Sequence, residues 1–138
     1  MFMARKTWQE KMLGTKEWKV EKTDKDFADM PAGSMMLVAT PVIVEDYIRN
    51  IPKGKSTTLQ QMRKDLAAEY NAEYTCPITA GIFLRIVAEA AYEQMMQGKP
   101  FKSIAPFWRM IDEKSPTAKK LSFGTEFLKK ERKKEGLP

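Results

Sequence analysis

The chain contains no histidine and only one cysteine, Cys76. Zinc held by the usual nitrogen and sulfur ligands is thereby excluded. The commonest general base is also missing, and with it the Ser/His/Asp and Cys/His arrangements of nucleophilic catalysis. A lone cysteine forms no intrachain disulfide, and nothing argues for secretion. Long apolar runs are absent too: the stretch 35–39 is far too short to span a bilayer. Residues 1–5 lead into charged positions rather than an apolar signal core. Internal repeats and low-complexity linkers are not seen. These absences point to a soluble cytoplasmic protein with no metal, no cofactor and no membrane partner.

What remains is ordinary in bulk. At 138 residues, 43% of them hydrophobic, one compact domain with short tails and a real core is expected. A formal net charge of +6 favours a polyanionic partner.

Read along the chain, 7–13 is a short helix in which Thr7 and Glu10 form a capping box and Gly14 supplies the stop. Residues 15–30 alternate charges with isolated apolar residues and read as an extended arm anchored by Trp18, Val20 and Phe27. A turn at 31–34 precedes a short buried segment, 35–38, with strand character. Thr40-Pro41 opens a helix with the threonine as cap and proline at its first position. Its inward face is Val44, Tyr47, Ile48 and Ile51. Pro52-Lys53-Gly54-Lys55 turns the chain. Thr57, with Gln60 completing a capping box, starts the next helix, whose buried stripe is Leu59, Met62, Leu66 and Tyr70. Arg63 and Lys64 stay outside.

The longest helix runs from Cys76-Pro77 to Gly98. Its broad apolar face is Ile78, Ile82, Phe83, Ile86, Val87, Ala90 and Ala91, leaving Thr79, Ala80, Arg85 and Glu89 for an outward face. An apolar strand over 104–111 follows, then a polar, lysine-bearing loop over 112–121 suited to be a wing. Thr125 caps a last helix anchored by Phe127 and Leu128. Lys129, Lys130, Arg132, Lys133 and Lys134 are its exposed residues, and Gly136 closes it. Two helices at an angle, then strand and loop, is how small nucleic-acid-binding domains present a helix to a groove. The expected fold is mainly α with a small β component. It is a winged helix (helix-turn-helix plus wing) over 35–138, preceded by an N-terminal helix and extended arm over 1–34.

Three pieces carry a family resemblance: Ile51-Pro52-Lys53-Gly54-Lys55, Thr58-Leu59-Gln60-Gln61-Met62, and Pro106-Phe107-Trp108-Arg109-Met110-Ile111. Together with a closing helix that ends in Glu135-Gly136, they resemble the DNA-binding domain of the O6-alkylguanine-DNA alkyltransferases and the non-catalytic alkyltransferase-like proteins. The resemblance covers about two-thirds of the chain. It implies a winged helix whose second helix of the pair enters the minor groove and flips a base towards a pocket. The alkyltransferase hallmark is Pro-Cys-His-Arg-Val. Here Phe107 stands at the acceptor cysteine and Trp108 at the histidine, so alkyl transfer by that route cannot occur. Leu59 falls where the family has a tyrosine. Gly81 falls where the family's helix carries an arginine, and Arg85 lies one turn further on.

On this reading Lys53, Lys55, Thr79, Arg85, Lys114, Lys119 and Lys120 are the DNA-binding candidates, mostly through phosphate. The bland alternative is a set of solvated surface cations, with Arg85 paired to Glu89 at helical spacing. Leu59, Phe107, Trp108 and Arg109 would form the base pocket, the two aromatics offering a stacking surface. Against this, strand neighbours point to opposite faces, so at least one ring is expected in the core; Arg109 more simply braces the strand. Cys76, just before a proline that opens a helix, is a candidate reactive thiol or a small buried hydrophobe. The expected function is non-enzymatic binding of duplex DNA, including alkylated DNA, through helix 77–97 and the wing. The alternatives are a winged-helix module that docks a repair or regulatory protein, or a thiol enzyme using Cys76.

Overall fold

The computed structural model describes residues 6–138, so the N-terminal stretch 1–5 read above for a signal core lies outside the described residues. The chain is mainly helical. Its helices are α1 (Trp8–Met12), α2 (Pro41–Arg49), α3 (Leu59–Glu69), α4 (Pro77–Met96), α5 (Pro116–Lys120) and α6 (Glu126–Lys134). One small sheet is made of β1 (Lys19–Lys22), β2 (Met35–Val38) and β3 (Tyr74–Thr75).

Thr7 and Glu10 form the anticipated capping box on α1. The helix is then fastened to α4 by Glu93, whose carboxylate accepts the backbone N–H groups of Trp8 (3.2 Å) and Gln9 (3.1 Å). These are N–H groups the first turn of a helix leaves unpaired, and they welcome a negative charge. The arm that follows is built into the sheet. Residue Val20 of β1 lies opposite Leu37 in antiparallel pairing with β2, while β2 runs parallel to β3. Of the three expected anchors only Val20 packs against the core. Trp18 and Phe27 are largely exposed, Trp18 lying edge-on to Tyr70.

Helix α2 begins as expected, with the Thr40 hydroxyl accepting the N–H of Ile43. Val44 and Ile48 are fully buried. Tyr47 donates its hydroxyl to Asp65 of α3 at 2.5 Å, and burial together with that bond pushes the phenol up to about 12. Helix α3 is capped by Thr58 rather than Thr57: Gln61 N–H donates to the Thr58 hydroxyl at 3.0 Å. Thr57 is engaged elsewhere, its N–H donating to the carbonyl of Arg109. That bond holds Thr57 outside the helix and moves the start by one residue. Arg63, expected outside, is mostly covered because its guanidinium bridges Asp29 and the Thr75 carbonyl.

Helix α4 is the centre of the core, with α1, α2, α3 and α5 laid against it. Phe83, Val87, Ala90 and Ala91 of the expected face are buried, but the rest of the face differs. Ala80, Leu84, Ala88 and Glu89 are inside, whereas Ile78 and Ile82 are 54% and 52% exposed. The helix is apolar nearly all round, so periodicity alone does not select a face. The alanines decide it, because small side chains let neighbouring elements come close.

The expected strand over 104–111 is instead a single 3-10 turn, Phe107–Arg109, entered from Pro106. A strand would send alternate side chains to opposite faces. The turn lets Phe107, Trp108, Met110 and Ile111 all enter the core. The segment expected as a polar wing contains α5, capped by Ser115 with Pro116 at its first position. Arg132, expected exposed on α6, is buried and donates to the carbonyls of Trp108 and Pro138, both at 2.7 Å.

Candidate nucleic-acid interface

The outward face of α4 runs through Ile78, Gly81, Ile82, Arg85 and Ile86, the three- and four-residue steps of one helical side. With Trp8 and Lys11 from α1, Leu59 from α3, and Pro116, Thr117 and Lys120 at α5, this face lines a groove of about 720 Å³. Three cations border it, and no described residue lining it is acidic.

Arg85 is held from two sides. Its guanidinium carbon lies 5.1 Å from the centre of the Trp8 ring, and its Nε stands 3.6 Å from the Glu89 carboxylate. Glu89 is itself buried and fixed by the backbone N–H (2.9 Å) and hydroxyl (2.5 Å) of Ser122. The Lys11 ammonium lies 4.0 Å from the same Trp8 ring. An aromatic flanked by two cations keeps both heads near the groove at little cost in ordering them later. Gly81 leaves the middle of the face open: an added Cβ there would meet only Leu59 Cδ2, at 4.0 Å.

A second cavity, of about 510 Å³, adjoins the groove and shares Leu59, Pro116 and Thr117 with it. Leu84, Met110 and Ile111 give it apolar walls, and Asp112, Glu113 and Lys114 lie at its border. Leu59, the residue at the family's tyrosine position, thus separates two concavities.

The remaining candidates are dispersed. Only Arg85 and Lys120 of the seven DNA-binding candidates share the groove; Lys114 lines the adjoining cavity, and Lys119 is exposed on α5. The Thr79 hydroxyl is buried without a hydrogen-bond partner among the described residues, so it faces away from any phosphate. Lys55 lies in a cleft with Tyr47 and Tyr70, and Lys53 in another with Phe101 and Trp108. Phe107 has no exposure and Trp108 only 2%, which corrects the expected stacking surface. Phe107 packs among Phe123, Phe127 and Trp108, because the 3-10 turn points both neighbours inward. Cys76 is buried at the start of α4 and lines none of these cavities, which favours its reading as a small hydrophobe.

Arg109 braces the molecule. Its Nε donates to both oxygens of Glu135 (2.9 and 3.1 Å) and its Nη1 to the Ile51 carbonyl (2.9 Å). Glu135 also accepts from Gly54 N–H and the Trp108 indole. Burial pushes this carboxyl up, but the bonds from Arg109, Gly54 and Trp108 outweigh it and hold its pKa below the usual value.

Sequence reasoning missed the exposed pair Ile78 and Ile82, the part played by Lys11, and the exposed ring of Phe101. Lys11 and Trp8 stand three residues apart at helical spacing, which was the available signal for the first of the groove's flanks. No family model, curated protein or solved structure matches the chain. Among the described residues, no helix is long and apolar enough to cross a membrane.

Proposed function

We propose that this chain is a non-enzymatic DNA-binding protein of winged-helix type, similar to the alkyltransferase-like lesion sensors. It takes duplex DNA on the outward face of α4. The observation that carries the reading is the groove itself: Lys11, Arg85 and Lys120 around an open Gly81, with no acidic side chain among its described lining residues. Lys11 and Lys120 make no ion pair among the described residues and so suit a phosphate backbone, whereas Arg85 already has Glu89 beside it. Exposed isoleucines beside a bare helix backbone suit the minor groove, where apolar side chains wedge between base steps.

The clamp on Glu135 supports the family reading. It gathers the 51–55 turn, the 107–109 turn and the end of α6, three pieces on which the resemblance rests. With Phe107 at the acceptor position sealed in the core and no cysteine among the groove's described lining residues, the protein recognises rather than repairs by the family's thiol route. An extruded base has the cavity beside Leu59 to enter, where it is selected by shape. The α5 segment takes the role assigned to the wing.

The test is a salt titration of binding to duplexes with and without O6-alkylguanine. Affinity that falls steeply with salt supports the groove, and tighter binding to the lesion supports sensing. Absent or salt-independent binding rejects both. One observation favours a second reading, a module that docks a protein: Ile78 and Ile82 are more than half exposed. Under that reading a complex survives nuclease treatment and duplex DNA does not compete with it.

A further inference from the structure

A cavity of about 500 Å³ that shares no lining residue with the α4 groove lies between the end of α2 and the 101–109 segment. Phe101 lies at its edge, 44% exposed, with its ring nearly parallel to the Trp108 indole (17°, centroids 5.0 Å apart). Trp108 is buried and locked through Nε1 to Glu135 at 2.7 Å. Phe101 therefore remains an exposed residue even with the Trp108 indole stacked against its ring. The result is a preset two-ring stack at the border of the cavity.

The border of this cavity is cationic. Lys53 and Lys102 make no ion pair among the described residues. Arg49 is fixed by the Ser103 carbonyl and Glu45 but keeps 39% of its side chain exposed. The one carboxylate in the lining, Glu135, is occupied by Arg109, Trp108 and Gly54. A flat ring for a base, bordered by cations for its phosphates, is the common design of sequence-tolerant single-strand sites.

We propose that this cavity binds an unpaired nucleotide of a single-stranded nucleic acid. The base stacks on Phe101, and the flanking phosphates meet Lys53 and Lys102. Paired bases in a duplex are already stacked on one another and cannot use the ring. An acidic peptide would use the lysines and leave the ring idle. The site goes beyond the duplex groove and does not depend on it.

The experiment is fluorescence anisotropy of the full chain with a short fluorescein-labelled oligothymidylate. Phe101→Ala should weaken binding about tenfold or more, and Phe101→Trp should restore it. Restoration shows that the aromatic face, not the fold, was lost. Lys53→Gln with Lys102→Gln should weaken binding and flatten its salt dependence. Duplex affinity should be unchanged by Phe101→Ala. Duplex binding that is absent while oligothymidylate binding still depends on Phe101 sinks the α4 reading and leaves this one standing. The proposal is overturned by oligothymidylate binding indifferent to Phe101→Ala, by no such binding, or by polyglutamate displacing the oligonucleotide independently of Phe101.

Discussion

Glu135 accepts the indole N–H of Trp108 at 2.7 Å, joining the end of α6 to the 3-10 turn at Phe107–Arg109. The same carboxylate holds Arg109 and the Gly54 N–H, so one side chain ties together segments from three parts of the chain. Removing it leaves a guanidinium and an indole N–H without their partner in a mostly covered place. Glu135→Ala should therefore cost about 3 kcal/mol, the usual consequence of breaking a buried pair from one side. The pH dependence has a definite sign. The folded pKa lies below the ordinary one, so the unfolded chain takes up the proton first on acidification. Its stabilisation is complete above the ordinary carboxyl range and is lost as pH falls through the folded value. Urea titrations should show a wide gap between wild type and Glu135→Gln at neutral pH and a narrow one in acid. A gap that stays constant with pH contradicts the assignment.

The groove cations lead to a prediction in the salt dependence. Arg85→Gln and Lys120→Gln should each lower duplex affinity for all sequences and reduce the slope of log affinity against log salt by about 1. Lys130→Gln, on the exposed side of α6 and away from the groove lining, should leave the slope alone. Equal effects from all three would mean diffuse attraction to a basic protein and no defined interface. Fluorescence anisotropy across a salt series measures this directly.

Cys76 should behave as a structural thiol. It is 8% exposed, and its side chain makes no cap bond to α4. A water-soluble thiol reagent should label the native chain slowly, with a rate that climbs with urea in step with local or global opening. Intact-mass analysis after exposure to O6-alkylguanine DNA should show no alkyl adduct. Fast labelling without denaturant would return the thiol to consideration as a chemical group.

How much of this was legible in the sequence depends on the kind of signal. Two caps were read well because they are local: Thr7 with Glu10, and Thr40 before Pro41, act within one turn, whereas the expected cap Thr125 makes no side-chain bond to α6. Thr57 and Thr58 show the limit. Both are able caps, and a bond from Thr57 to the distant Arg109 carbonyl chose between them. Helix α4 was recognised as a helix, and Phe83, Val87, Ala90 and Ala91 of its expected face are buried, but Ile78 and Ile82 lie outside while Ala80 and Glu89 lie inside. Its alanines and isoleucines are alike in polarity, and only close packing against neighbouring elements tells Ala80 from Ile82. The 104–111 segment read as a strand because it is apolar, whereas Pro106 and the need to bury adjacent rings make it a tight turn. Of the site, Arg85, Lys120 and Leu59 were named and meet in the groove. Phe107 and Trp108 were named for a surface they do not reach.

Gly81 offers the sharpest separation of stability from binding. A glycine inside a helix costs about 1 kcal/mol relative to alanine. Nothing in the packing requires one here, since an added Cβ would meet Leu59 at ordinary contact distance. Gly81→Ala should therefore stabilise the chain by about 0.4–1 kcal/mol. If the glycine is there so that another backbone can approach the helix, the same methyl group stands in the way and duplex affinity should fall. A paired measurement, urea unfolding alongside duplex binding, reads both effects on one variant. Higher stability with unchanged affinity would show that nothing comes close to α4 at that point, and the groove would lose its claim to be the contact surface.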